Sequence, residues 1–150
     1  MKTISNDIFF AHIEDLLAEG QSALIRVKGY SMRPFMRSDR TQVRIAPLTT
    51  CEDLKVGDIV LFRYRGRHIM HRIHRIEGEK ITLAGDGNYR QWEQCNRTDV
   101  VGIVSHVIKF NGCTIPCSSR RWRLNSALWL ALSPFARRVI LGILWRVGIK

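Results

Sequence analysis

The chain carries no acidic residue after Asp99: all 13 of its Asp and Glu side chains lie between Asp7 and Asp99. It also has no run of 18 uninterrupted apolar residues, which argues against a conventional membrane span. Cysteine is scarce. Cys51, Cys95, Cys113 and Cys117 form no C-x2-C pair, and Cys113-x3-Cys117 has no pair of histidines at ligand spacing, so neither a metal nor another cofactor is expected. The N-terminus lacks the signature of a secretory signal, because polar Ser5-Asn6-Asp7 follows Lys2 and His12 breaks the apolar run Ile8–Ile13. A reducing compartment with free thiols is therefore expected, and a location in the cytoplasm or peripherally on a membrane. Internal repeats and low-complexity tracts are missing too. With 45% hydrophobic and 25% charged residues, the composition excludes wholesale disorder.

What is present in excess is positive charge. The formal net charge is +11, from 24 Lys+Arg against 13 Asp+Glu. Much of it sits at one end: Arg120, Arg121, Arg123, Arg137, Arg138, Arg146 and Lys150 have no acid among them. An anionic partner is implied, and charge alone does not say which. At 150 residues the chain has the length of one domain with an appendage. Its texture suggests three parts: an N-terminal helix over 1–20, a β-rich body over 21–117 and a basic amphipathic helical tail over 118–150.

The first part is helical because Phe9, Ile13, Leu16 and Leu17 fall at helical spacing, with Ser5 or Asn6 as cap and Gly20 as stop. From Ser22 the apolar period shortens to two, which predicts strands near 22–28, 42–46, 57–64, 67–76, 80–84 and 100–110, with a hairpin at Arg65-Gly66. The fold class is mainly β and antiparallel. After Cys117 the spacing lengthens again: Leu124, Leu128, Leu132, Phe135, Val139, Ile143 and Val147 step by three or four. Ser133-Pro134 reads as an N-cap followed by a first-turn proline, so two short helices are expected. Trp122, Trp129 and Trp145 among arginines suit helices lying on an anionic membrane; helices folded against the body would show the same stripe.

Three short segments carry chemistry. Val27-Lys28-Gly29-Tyr30-Ser31-Met32-Arg33-Pro34 puts Ser31 just past a strand, at a bend shaped by Gly29 and Pro34. In Arg67–Ile76, period two places Ile69, His71 and Ile73 on one face and His68, Met70, Arg72 and His74 on the other. His71 should then point inward, where burial favours the neutral, proton-accepting imidazole, while His68 and His74 should be wet. Gly85-Asp86-Gly87-Asn88 ends a strand in a turn, and Asp86 or its neighbours are candidates to orient His71, as a carboxylate does in hydrolytic triads.

With Val56-Gly57-Asp58-Ile59-Val60 and Val101-Gly102-Ile103-Val104, these segments form five boxes whose order and spacing resemble the type I signal peptidase family, which includes the LexA-like self-cleaving repressors. The resemblance covers residues 24–108. It implies a serine endopeptidase acting on an extended signal peptide, leader peptide or precursor, with small residues before the scissile bond. Ser31 would be the nucleophile and His71 the general base, as in the Ser–His branch of the endoplasmic reticulum and archaea; most bacterial members have lysine there. Gly29, Met32 and Pro34 would contact substrate. The position two before the nucleophile, which can supply a hydroxyl to the oxyanion, is Gly29, leaving backbone donors to do this work. Three departures stand out. Trp92 stands near the place of the usual triad acid, so Asp86 is the better candidate and Glu93 the weaker. Ser38-Asp39 replaces the usual Gly-Asp. No N-terminal membrane span is present. Two alternatives follow: a catalytically silent peptide-binding relative, and a repressor-like nucleic-acid binder. The second is disfavoured because no helix-turn-helix precedes the body.

Overall fold

The computed structural model of the protein describes residues 6–88 and 90–148; the Ser5 cap and Lys150 lie outside them. Helix α1 (Asn6–Ala18) is followed by strands β1 (Ala23–Arg26), β2 (Gln42–Ala46), β3 (Ile59–Tyr64), β4 (Arg67–Glu77), β5 (Lys80–Ala84), β6 (Glu93–Asn96), β7 (Val100–Ile108) and β8 (Thr114–Pro116), and then by helices α2 (Arg120–Ala131) and α3 (Pro134–Arg146). The strands form one antiparallel sheet in the order β1-β2-β7-β3-β4-β5-β6, with β8 on the distal half of β7. Arg65 and Gly66, both with positive φ, make the β3–β4 turn as expected. Strands β6 and β8 have too few apolar residues to announce themselves. Each is a short strand added beside a longer one that already carries the pattern.

Both faces of β3 are buried. Alternation sends Ile59 and Leu61 into a core with Ile13 and Leu17 of α1, Val43, Ile45, Val104 and Val107. It sends Val60 and Phe62 into a second core with Ile73, Ile81, Leu83, Cys95 and Val100. The first four residues of β3 thus need to be apolar without alternation, and its Ile-Val-Leu-Phe run meets that need.

Strand β4 follows the expected alternation only as far as Ile73. A bulge between Ile73 and Arg75 leaves His74 as the extra residue and shifts the following side chains. The face read as wet is in fact covered. His68 stacks on Phe10 at 4.6 Å and bonds Glu14 at 2.7 Å, Met70 packs on the first core, and Arg72 has no exposed surface. Glu14 also takes a two-pronged bond from Arg63, which holds its carboxyl below the usual range and ties α1 to the hairpin. Period two assigned these residues to a face correctly; it could not reveal that helices cover that face.

Candidate active site

The serine bend is built from its neighbours. Met32 and Met36 lie one helical turn apart, both buried in the first core, with the Met36 amide on the Met32 carbonyl at 3.1 Å. Met32 is therefore an anchor of the bend, a correction to its expected contact with substrate. Gly29 (φ 80°) is exposed, and its amide bonds Ser38 Oγ at 3.0 Å. The Asp39 amide bonds the Val27 carbonyl at 2.8 Å and its carboxylate pairs with Lys28, so Ser38-Asp39 closes the base of the loop. Pro34 is half-buried and lines a cleft of about 630 Å³ with Phe35, Trp122, Arg37, Arg40, Lys109 and Arg121. Ser31 itself is half-buried.

The Gly85–Asn88 turn presses against this bend. The Gly87 amide donates to the Ser31 carbonyl at 2.7 Å. A Cβ on Gly87 would stand 2.6 Å from the Tyr30 carbonyl oxygen. A Cβ on Gly85 would stand 2.3 Å from the Ser31 carbonyl oxygen and 3.1 Å from His71 Nε2. Ser31 and the His71 ring are thus held no further apart, carbonyl oxygen to Nε2, than those two lengths laid end to end. The two glycines are required for close approach, and the serine bend and imidazole meet across Gly85.

His71 is buried opposite Val60 in the β3–β4 register, beside the Phe62 ring. Its Nδ1 lies 2.9 Å from Glu93 Oε2, and Glu93 on β6 is almost fully buried. A carboxylate can only accept, so this bond calls for a ring proton on Nδ1; in the neutral imidazole the lone pair then lies on Nε2, on the Gly85 side.

Asp86 does not orient His71. Its two oxygens take a bidentate bond from Arg72, Nε to Oδ1 and Nη2 to Oδ2 at 2.8 Å each, with both side chains wholly buried. Burial pushes the Asp86 carboxyl up, against the pull of Arg72. Arg72 also donates to the Gly57 carbonyl at 2.9 Å and lies over the Phe35 ring, 4.7 Å from its centroid. Trp129 Nε1 of α2 donates to the Asp86 carbonyl at 3.2 Å. One guanidinium therefore fastens the Gly57-Asp58 box, the Gly85–Asn88 box and the loop after Ser31. The carboxylate that meets the His71 ring is Glu93, one residue past Trp92. In the structure Glu93 and Cys95 are buried and Gln94 and Asn96 exposed, an alternation that the four-residue Glu-Gln-Cys-Asn segment does not show as an apolar pattern.

Helices α2 and α3 pack on the body at this site. Ser119 and Ser133 cap them through the amides of Trp122 and Ala136, with Pro134 in the first turn of α3. Trp122 and Trp129 are buried, each edge-on to Phe35. Trp145 meets Tyr30 edge-on, and the Arg33 guanidinium lies 4.9 Å from the Trp145 ring centroid. Arg137 turns inward and bonds the carbonyls of Trp129 and Leu130 at the end of α2.

A serine bend seated beside an imidazole, on a mainly antiparallel β body with flanking helices, is the architecture of a serine peptidase of the LexA-like kind. The chain belongs to the Peptidase S24-like family, whose model matches residues 3–108, from α1 to the end of β7. No match was found among curated proteins.

Proposed function

We propose that the protein is a serine endopeptidase in which Ser31 is the nucleophile, His71 the general base and Glu93 the residue that orients the base. The observation that carries this reading is the bipolar setting of His71, with Nδ1 on a buried carboxylate and Nε2 turned to the glycine that touches the Ser31 backbone. Serine is a weak nucleophile until a base takes its proton. Nε2 accepts the Ser31 Oγ proton as Oγ attacks the scissile carbonyl, and the imidazolium formed is stabilised through Nδ1–H by Glu93. The same proton passes to the departing amine, leaving an acyl ester on Ser31. Water, deprotonated by His71, then releases the second product. Backbone N–H groups at the serine bend stabilise the tetrahedral oxyanion, since Gly29 has no hydroxyl to offer.

The substrate is an extended polypeptide, a leader peptide or precursor with small residues before the scissile bond. The alternative of a silent peptide-binding relative rests on Trp92 standing where an acid is usual; the Glu93–His71 bond favours the enzyme reading. The experiment is cleavage of a library of extended peptides, read by mass spectrometry. Ser31→Ala abolishes cleavage with the melting temperature retained, and His71→Ala lowers it by at least about a thousandfold. Glu93→Gln lowers it by roughly 10²- to 10⁴-fold. Cleavage that survives Ser31→Ala overturns the assignment.

A further inference from the structure

The apolar stripe of the C-terminal helices does not face the body. On α2 the inward positions are Trp122, Ser126 and Trp129, and on α3 they are Arg137 and Leu141. Leu124 and Leu128 on α2, and Phe135, Val139 and Ile143 on α3, followed by Val147, point outward and are exposed, most of them by more than half. An ordinary soluble helix buries its apolar stripe and exposes its polar one. Here both helices have a buried inner face and a second, exposed apolar face. Around it stand the exposed arginines Arg120, Arg121, Arg123, Arg138 and Arg146, with no acidic residue in 118–150 to balance them.

We propose that the outward faces of α2 and α3 form a docking surface for an anionic lipid bilayer. The charge selects the occupant. A second copy of this chain would set arginine against arginine, so self-association of this face is disfavoured, whereas acidic headgroups complement it. The geometry favours lying on a bilayer over crossing it: the two helices bend by 116° at their junction, and among the described residues no single helix is long and apolar enough to span. Leu, Phe, Val and Ile enter the acyl boundary while arginines reach the headgroups, the arrangement of interfacial amphipathic helices. Trp145, half-exposed near the end of α3, is an aromatic suited to the headgroup level. Nothing in this surface depends on Ser31 or His71, so it stands or falls separately from the peptidase reading.

The test is co-sedimentation of the full chain with vesicles of phosphatidylcholine alone and of phosphatidylcholine with 30 mol% phosphatidylglycerol, a composition of about one acidic lipid in three. The protein sediments with the acidic vesicles, and binding weakens with rising salt. The variant Leu128→Ser/Phe135→Ser/Ile143→Ser, altered only at exposed positions, keeps its circular dichroism spectrum and loses binding at least about tenfold. Protein left in the supernatant of acidic vesicles overturns the proposal. So does binding unchanged in the triple variant, which would reduce the surface to a general polyanion site. A concentration-dependent dimer that disappears in the triple variant would give the face to self-association and overturn it as well.

Discussion

Removing the Asp86 carboxylate strands the Arg72 guanidinium in an interior that water does not reach, and that asymmetry sets the expected cost. Asp86→Ala loses about 3–5 kcal/mol of stability, the usual penalty for leaving a buried charge without its partner. Replacing both partners, as Arg72→Met/Asp86→Leu, recovers much of the loss, because two desolvation penalties disappear with the pair. Urea denaturation of the three proteins checks this: a double variant as unstable as the single one contradicts it. His74 gives a second residue-scale prediction. Its Nε2 is buried with no hydrogen-bond partner among the described residues, and its ring meets Trp92 edge-on. Burial, together with the nearby charges of Arg137 and Arg72, holds its pKa down to about 4 from 6.5. Between those values the unfolded chain binds a proton that the folded chain refuses, so stability falls as pH drops from 6.5 towards 4. His74→Gln removes that part of the pH dependence, as denaturation midpoints across the window will record.

At the scale of elements, the approach of the Gly85–Asn88 turn to the serine bend is the critical packing event. Gly85→Ala drives a methyl group into the Ser31 carbonyl oxygen, a backbone atom that has no rotamer to change. The expected outcome is a loss of about 1–3 kcal/mol together with a fall in peptide cleavage, since the bend must shift away from His71. Denaturation and cleavage assays on this variant decide it; unaltered cleavage would show that the bend and the imidazole need not be so closely set. Legibility varied at this scale. Helix α1, the long strands, the hairpin turn and the Ser133-Pro134 start of α3 follow local rules, and each was readable from spacing and turn chemistry. The serine bend and His71 were readable as boxes in order. The partners of Asp86 and Glu93 were not, because both depend on how strands and turns meet across the sheet, and a one-residue slip in β6 would turn Glu93 to the opposite face, away from His71.

The whole molecule joins a peptidase body to a basic helical pair through a few contacts at the site: Trp129 on the Asp86 carbonyl, Trp122 and Trp129 on Phe35, and Trp145 beside Tyr30 and Arg33. The helices therefore brace the loop that carries Ser31, although the family match ends before them. Charge asymmetry along the chain pointed to a tail with its own partner, and periodicity found its apolar stripe. Neither could tell which way the stripe faces, since a stripe turned inward and one turned outward have the same spacing. The inward surface is held instead by tryptophans and by Arg137, residue types that hydropathy patterns rank poorly as core.

If Ser31 is acylated with His71 as its base, the acyl-enzyme can be trapped during turnover. The protein is mixed with library peptides that it cleaves, quenched in acid within the first turnover, and mapped by mass spectrometry. An acyl ester is expected on Ser31, absent in Ser31→Ala and no longer accumulating in His71→Ala. An acyl group mapped to another side chain, or peptide cleaved by an enzyme whose Ser31 is never modified under any quench, would contradict it.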